Sequence, residues 1–205
     1  MRILIACETS GVTREACRAR GLDAWSCDLE PAEDGSEHHH QGDAVEVMRA
    51  YPWAIIIAHP PCTHLASSGA RWWAQKRADG RQQQGVELFM SMLNTAQWCA
   101  SVGSAVENPV GIMSTLHRKP DQIVQPWWFG DRARKTTCWW LDRLPPLVPT
   151  EVVDEGEIHV TRSGKRMPAW SHLLPQSTER ARIRSRTFEG MGKAMAEQWG
   201  ELCAI

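Results

Sequence analysis

Apolar positions along the chain recur in two rhythms, and between them they outline the elements. Residues 3–7 (ILIAC) form an apolar run of strand length, followed at once by a Ser-Gly turn and a helical pattern over residues 12–19 that closes at Gly21. Residues 23–27 make a second strand candidate ending at Asp28. The polar stretch 31–42 (PAEDGSEHHHQG) reads as a surface loop. Residues 53–58 (WAIIIA) are the most strand-like segment, and their lack of polar alternation predicts a strand covered on both faces, as in a parallel sheet. Over residues 82–100 the apolar side chains Val86, Leu88, Phe89, Met92, Leu93 and Trp98 read as helical spacing, which predicts a long helix packed on that sheet. Further strands are expected at residues 103–106 and 136–141 (TTCWWL). From 142 to 185 the pattern dissolves into prolines, charges and turns, with a hairpin expected around 158–166; the chain then finishes in a helix over 186–202.

Strands alternating with helices predict an α/β fold with a doubly wound, mostly parallel sheet. The expected organisation is a catalytic α/β core over 1–141, a small irregular lobe over 142–185 and a C-terminal helix over 186–205 that packs back on the core. At 205 residues the chain is long enough for one sizeable core and too short for two full domains.

Charge narrows the partners. Lys and Arg number 23 against 24 Asp and Glu, so no overall basic surplus marks a nucleic-acid binder, and any contact with DNA must be local. The seven cysteines include no Cys-x-x-Cys pair, which argues against a disulfide framework and a four-thiolate zinc site and fits a reducing cytosol. The first apolar run is too short for a signal peptide, and no segment is apolar enough to span a bilayer, so a cytoplasmic, membrane-free location is expected. Eleven tryptophans stand against one tyrosine, several of them in pairs. Indoles stack on bases, and they equally fill cores.

In a doubly wound sheet, ligands bind at the carboxyl ends of the strands. Four groups of residues fall there. Glu8, Thr9, Ser10 and Gly11 follow the first strand, where a glycine lets the backbone approach a ligand and the next helix offers free N–H groups to an anion. Asp28 ends the second strand, where an acid suits ribose hydroxyls, and Asp43 is either a contact to an adenine or the cap of the next helix. His59, Pro60, Pro61, Cys62, Thr63 and His64 follow the WAIIIA strand; the two prolines stiffen the loop that would present the Cys62 thiolate. His59, Cys62 and His64 are also metal-ligand types, but no fourth ligand shares their spacing, so no metal site is expected there, and His38 to His40 read as a solvated loop. Glu107 and Asn108 end the next strand, where a carboxyl of raised pKa could protonate a heterocycle and an ionised one would be a plain loop acid.

The order of these motifs resembles the DNA (cytosine-5)-methyltransferases, most of all the small homologues encoded by phages and prophages. The resemblance runs from residue 3 to residue 199. It implies a Rossmann-like S-adenosylmethionine-dependent methyltransferase fold, with CETSG and Gly11 at the methionine end of the cofactor, Asp28 at the ribose, Asp43 near the adenine, and Pro60 among the cofactor contacts. It also implies Cys62 as nucleophile in Pro61-Cys62-Thr63, and Glu107 and Asn108 as the counterpart of the family's Glu-Asn-Val. Arg132 and Arg134 match the arginines that hold the base, and either could lower the pKa of Cys62. Arg71 is placed with Pro61, Thr63 and Asn108 on the substrate side. The sequence departs from the family in having Thr63 for glutamine and Pro109 for valine, and in leaving only 142–185 as a reduced recognition lobe. The implied partner is therefore duplex or single-stranded DNA, or a cytosine nucleotide. Two other readings remain open: an amino-methyltransferase using HPPC as its catalytic loop, and a DNA-binding relative without catalysis.

Overall fold

The computed structural model describes residues 1–203. Its elements in chain order are β1 (Arg2–Ala6), α1 (Val12–Ala19), β2 (Asp23–Asp28), β3 (His39–Gln41), α2 (Ala44–Ala50), β4 (Trp53–Ala58), α3 (Trp73–Ala78), α4 (Arg81–Cys99), β5 (Ala100–Pro109), α5 (Met113–Leu116), β6 (Gln122–Val124), β7 (Thr137–Asp142), β8 (Ile158–Val160), β9 (Arg166–Pro168), α6 (Ala169–His172), α7 (Thr178–Ser185) and α8 (Glu189–Gln198).

Seven strands form one sheet in the order β3-β2-β1-β4-β5-β7-β6, parallel from β3 to β5, with β7 antiparallel to both its neighbours. The order reverses at β1 and β4, so the crevice between their carboxyl ends is where such a sheet admits a ligand. This is a doubly wound, Rossmann-like arrangement.

The unbroken apolar runs have a direct explanation in the two-residue period of a strand. Ile3 and Ile5 of β1, with Ile55 and Ile57 of β4, point to the face covered by α1 and α8, among Cys17, Met191, Met195 and Trp199. Leu4 and Ala6, with Ile56 and Ala58, point to the other face, against Met48 of α2 and Phe89, Met92, Leu93 and Ala96 of α4. Both faces are dry, so every residue of WAIIIA is buried, and each isoleucine removed from water contributes roughly 1.5–3 kcal/mol.

Four expectations are corrected. The expected loop over 31–42 ends in a strand, because the backbone of His39 to Gln41 completes the hydrogen bonding of β2 at the sheet edge. The strand expected at 103–106 runs from Ala100 to Pro109, since β7 pairs with β5 as far as Pro109 opposite Thr137. The irregular stretch 142–185 contains the eight-residue helix α7, and its hairpin extends to Pro168. The terminal helix starts at Glu189 rather than 186, because its first turn is capped from elsewhere: the Asp131 carboxylate accepts the Gly190 N–H at 2.8 Å.

The tryptophans divide. Trp53, Trp139, Trp140 and Trp199 are core residues, three of them donating their indole N–H to a backbone carbonyl, whereas Trp72 is half-exposed beside Arg71.

Candidate active site

The parallel register brings the carboxyl ends of β1 to β5, with the candidate residues that follow them, to one edge of the sheet. At the end of β1 the chain turns sharply through Cys7, which has φ of 59°, and Gly11, with φ of 70°. A Cβ on Gly11 would lie 2.2 Å from the Arg14 guanidinium, so this turn admits glycine alone. Glu8 is buried, and its two carboxylate oxygens accept the N–H groups of Thr13 at 2.8 Å and Arg14 at 3.2 Å. The free helix N–H groups expected for an anionic ligand are thus already used within the chain: Glu8 caps α1, and Ser10 Oγ accepts from Val12 N at 3.5 Å. Thr9 donates to Glu33 at 3.1 Å, and Arg182 of α7 holds Glu33 from the other side at 2.7 Å.

Asp28 ends β2, folded into a turn in which its Oδ1 accepts the Glu30 N–H at 3.1 Å. The Gly42 N–H donates to the Asp28 carbonyl at 2.8 Å and so draws Asp43 alongside. Asp43 caps α2, its Oδ1 accepting from Val45 and Glu46 at 2.8 and 3.1 Å. The charges of both acids reach Cys7, whose thiol is pushed up first by burial, then by Cys27 and by these two carboxylates.

Beyond β4 the loop closes on itself, the Cys62 carbonyl accepting the N–H groups of Leu65 and Ala66 at 2.9 and 3.0 Å. Pro60 is buried, and its carbonyl accepts from Asn108 Nδ2 at 3.1 Å, which ties this loop to the end of β5. Lys76 of α3 donates to the Thr63 carbonyl at 2.6 Å; Pro61, Thr63 and Arg71 are exposed on the outer side. There a cleft of about 430 Å³ is lined by Trp72, Gln75, Lys76 and Arg81.

Glu107 projects past the end of β4, because Ala58 pairs with Val106. Its carboxylate lies 3.5 Å from His59 Nδ1, and the two side chains are only 15% and 14% exposed. Burial pushes the Glu107 carboxyl up, but the contact with His59 and the charges of Lys135 and His59 outweigh it and hold the group below the ordinary carboxylate range. Cys62, half-buried nearby, is displaced the other way: burial raises its thiol, the negative charge of Glu107 raises it further, and Lys135 and Arg184 do not offset them. The resting pair is therefore a neutral thiol beside an ionised carboxylate.

The cations at this point differ from those expected. Arg132 and Arg134 reach Asp154 and Glu155, at 3.4 and 3.6 Å, and are well exposed. The side chain that enters the pocket is Lys135, two residues ahead of Thr137, which pairs with Pro109 and lines the same pocket. Lys135, His59 and Glu107 share a cavity of about 10 Å³ with Trp139 and, across from them, Ser185 and Phe188. That is room for a water molecule and not for a pyrimidine. The 185–188 segment closes it, its carbonyls at Ser185 and Arg186 accepting from Lys135 Nζ at 3.5 and 3.3 Å. Among the described residues, no cluster of three His, Cys, Asp or Glu side chains is placed to hold a metal ion.

Sequence reasoning missed Lys135 and Arg184, and treated His59 only as a metal-ligand type. The signal for His59 was its place as the first residue after a central strand. For Lys135 it was its place two residues ahead of Thr137 in the expected TTCWWL strand.

No protein-family model matches this sequence. No curated protein matches it either. Among solved structures, a methyltransferase of Entamoeba histolytica is similar at 13% identity and a TM-score of 0.49, over 77% of this chain and 58% of the other. A SAM-dependent methyltransferase from Neisseria gonorrhoeae is similar at 16% identity and a TM-score of 0.40, over 74% of this chain and 63% of the other. The chain thus spans about three fifths of the length of these neighbours.

Proposed function

We propose that this protein is an S-adenosylmethionine-dependent methyltransferase that methylates C5 of cytosine, in DNA or a smaller nucleotide, through a covalent bond from Cys62 to C6. The observation that carries the reading is that Cys62 and Glu107 follow the adjacent strands β4 and β5 closely enough for the charges of Glu107 and Lys135 to act on the Cys62 thiol, while Glu107 and Lys135 themselves line one small cavity.

Support for an adenosyl ligand at this end of the sheet comes from the two carboxylates Asp28 and Asp43, drawn alongside each other at the ends of β2 and β3, and from the glycine turn at Gly11, over which the Arg14 guanidinium lies. Asp28 would hold the ribose, Asp43 the adenine side, and Thr9, Ser10 and Pro60 the methionine end. S-adenosylmethionine bound there supplies an electrophilic methyl group. Everything else falls to the chain. Cytosine C5 is a poor nucleophile, and addition of the Cys62 thiolate at C6 makes it enamine-like. Lys135 and Arg184 favour the thiolate, while Glu107 opposes it until it is neutralised. A protonated Glu107 meets the ring N3 and so does both tasks at once: it stabilises the adduct and removes the charge that keeps the thiol protonated. The 185–188 segment must move aside to admit the base, and unpaired cytosine, which needs no flipping from a duplex, is expected to react at least as well as paired cytosine.

Transfer of tritiated methyl to duplex DNA, single-stranded DNA, RNA and dCTP tests the reading, with Cys62→Ser as control. Cytosine-dependent transfer that collapses by a factor of about 100 or more in the variant is expected. Transfer that survives Cys62→Ser points to an exocyclic amine as the acceptor, and cofactor binding without transfer points to a non-catalytic DNA-binding protein.

A further inference from the structure

His59 is the one ionisable side chain of the pocket for which the mechanism above has no task. It is the first residue after β4, and its ring packs edge-on against Trp139, with centroids 5.8 Å apart. Nδ1 faces the Glu107 carboxylate at 3.5 Å, and Nε2 is buried with no hydrogen-bond partner. A buried imidazole nitrogen left without a partner is costly, so such a group is retained where the ring has work at its other nitrogen or toward a ligand. The charged groups that share the pocket with the ring are Glu107 on β5 and Lys135 ahead of β7. Glu107 is the one that contacts it.

Two needs of the pocket conflict. At rest Glu107 is ionised, yet N3 of a cytosine that accepts a thiolate requires a proton at that carboxyl. The pocket is closed to all but a water molecule, so bulk solvent is a slow source once the base fills it. We propose that His59 is a positioning residue that keeps this proton in the pocket: the imidazolium at Nδ1 hands its proton to Glu107 as the base docks, and Glu107 passes it to N3. The inference rests on the cytosine reading.

The S–C6 bond forms, the electron pair of the C5–C6 double bond shifts to C4–C5, and the pair displaced from C4–N3 takes the proton at N3. His59 is left neutral and Glu107 ionised. When C5 has gained its methyl group, a water molecule takes the C5 hydrogen as a proton, the C5–H pair re-forms the C5–C6 double bond, the S–C6 pair leaves with the thiolate, and the N3 proton returns to Glu107 and His59. A contact of 3.5 Å is long for proton transfer in the resting protein, and such contacts tighten when the ligand arrives. His59 thus extends the site from a thiol and a carboxyl to a thiol, a carboxyl and a proton store.

The test begins with the full-length chain labelled with nitrogen-15 in histidine, the His59 imidazole signal being identified by its loss in His59→Asn. If the two groups share a proton, the nitrogen-15 titration curve of His59 differs between the wild type and Glu107→Gln; identical curves overturn the proposal, whatever the protein methylates. The second arm is kcat/KM for cytosine methylation against pH. His59→Asn keeps a donor toward Glu107 but holds no exchangeable charge, so its loss should be about tenfold or more on the acid side, where an imidazole carries its second proton, and should shrink severalfold well above the ordinary imidazole range, where the wild-type ring has no proton to give. In a Glu107→Gln background the same substitution should add nothing. An equal loss at every pH marks His59 as packing alone and overturns the proposal, and matching thermal melts of the two proteins show that folding is intact. A wild-type chain that methylates no cytosine fails the functional reading instead, and the NMR titration curves still decide the pairing.

Discussion

Cys62 shows how far a single residue is governed by its neighbours. The thiol is raised by burial and then by Glu107, so its ionisation is a reading of the carboxyl beside it. Replacing Glu107 with glutamine removes a negative charge and leaves burial, Lys135 and Arg184 in place. The Cys62 midpoint in Glu107→Gln should fall, so that alkylation by iodoacetamide at a fixed mildly alkaline pH is faster than in the wild type, by about threefold or more. Mass spectrometry of the Cys62 peptide reads it, and an unchanged or slower rate would show that Glu107 does not control the thiol. The other cysteines give a contrast: Cys17 and Cys27, both pushed up to about 12 chiefly by burial, should stay unmodified under the same conditions.

At the scale of elements, α8 depends on a partner far away in sequence. Gly190 sits so close to the 129–131 segment that a Cβ would lie 1.7 Å from the Phe129 carbonyl oxygen and 2.7 Å from Asp131 Oδ2. Its N–H is the donor capped by Asp131. Gly190→Ala must therefore shift the whole start of the helix and break that cap, although alanine is the better helix former. A loss of about 3 kcal/mol is expected, which for a chain of this size lowers the melting temperature by roughly 6–12 °C. A calorimetric scan showing a stabilised variant would place the helix elsewhere. The same packing explains why the sequence pattern put the helix start at 186: residues 186–188 have helical composition, but they run extended over the pocket, and the cap comes from Asp131.

Over the whole molecule the net charge is -1, yet the exposed basic residues are unevenly placed. Arg184 and Arg186 lie by the pocket mouth, and Arg162, Lys165 and Arg166 on the β8–β9 hairpin. With few such groups, DNA binding should be weak and its salt dependence shallow. Replacing Arg184 and Arg186 with glutamine should lower the slope of log affinity against log salt by about two and weaken every sequence alike. Fluorescence anisotropy across a salt series reads this, and an unchanged slope would put the phosphates elsewhere, with the cleft at Trp72 and Arg81 next in line. Among the described residues no helix is long and apolar enough to cross a membrane.

What the sequence determined by itself is whatever depends on short-range rhythm. The apolar runs at β1 and β4 could only be strands dry on both faces, the spacing of Phe89, Met92 and Leu93 could only be a packed helix, and strand-end residues such as Cys62 and Glu107 follow from knowing where strands stop. The tertiary structure decided what depends on partners distant in the chain. β3 exists because β2 has an edge to fill, and α8 begins where Asp131 caps it. Glu8 turned out to cap α1 because a buried carboxylate must find donors, and the Thr13 and Arg14 N–H groups are the ones that fold places against it. Lys135 rather than Arg132 or Arg134 entered the pocket because pairing of β7 with β5 brings Thr137, and Lys135 two residues ahead of it, to the same pocket. The pairing of His59 with Glu107 joins residues from two strands, and no local pattern in either segment encodes a contact that exists only once β4 and β5 lie in register.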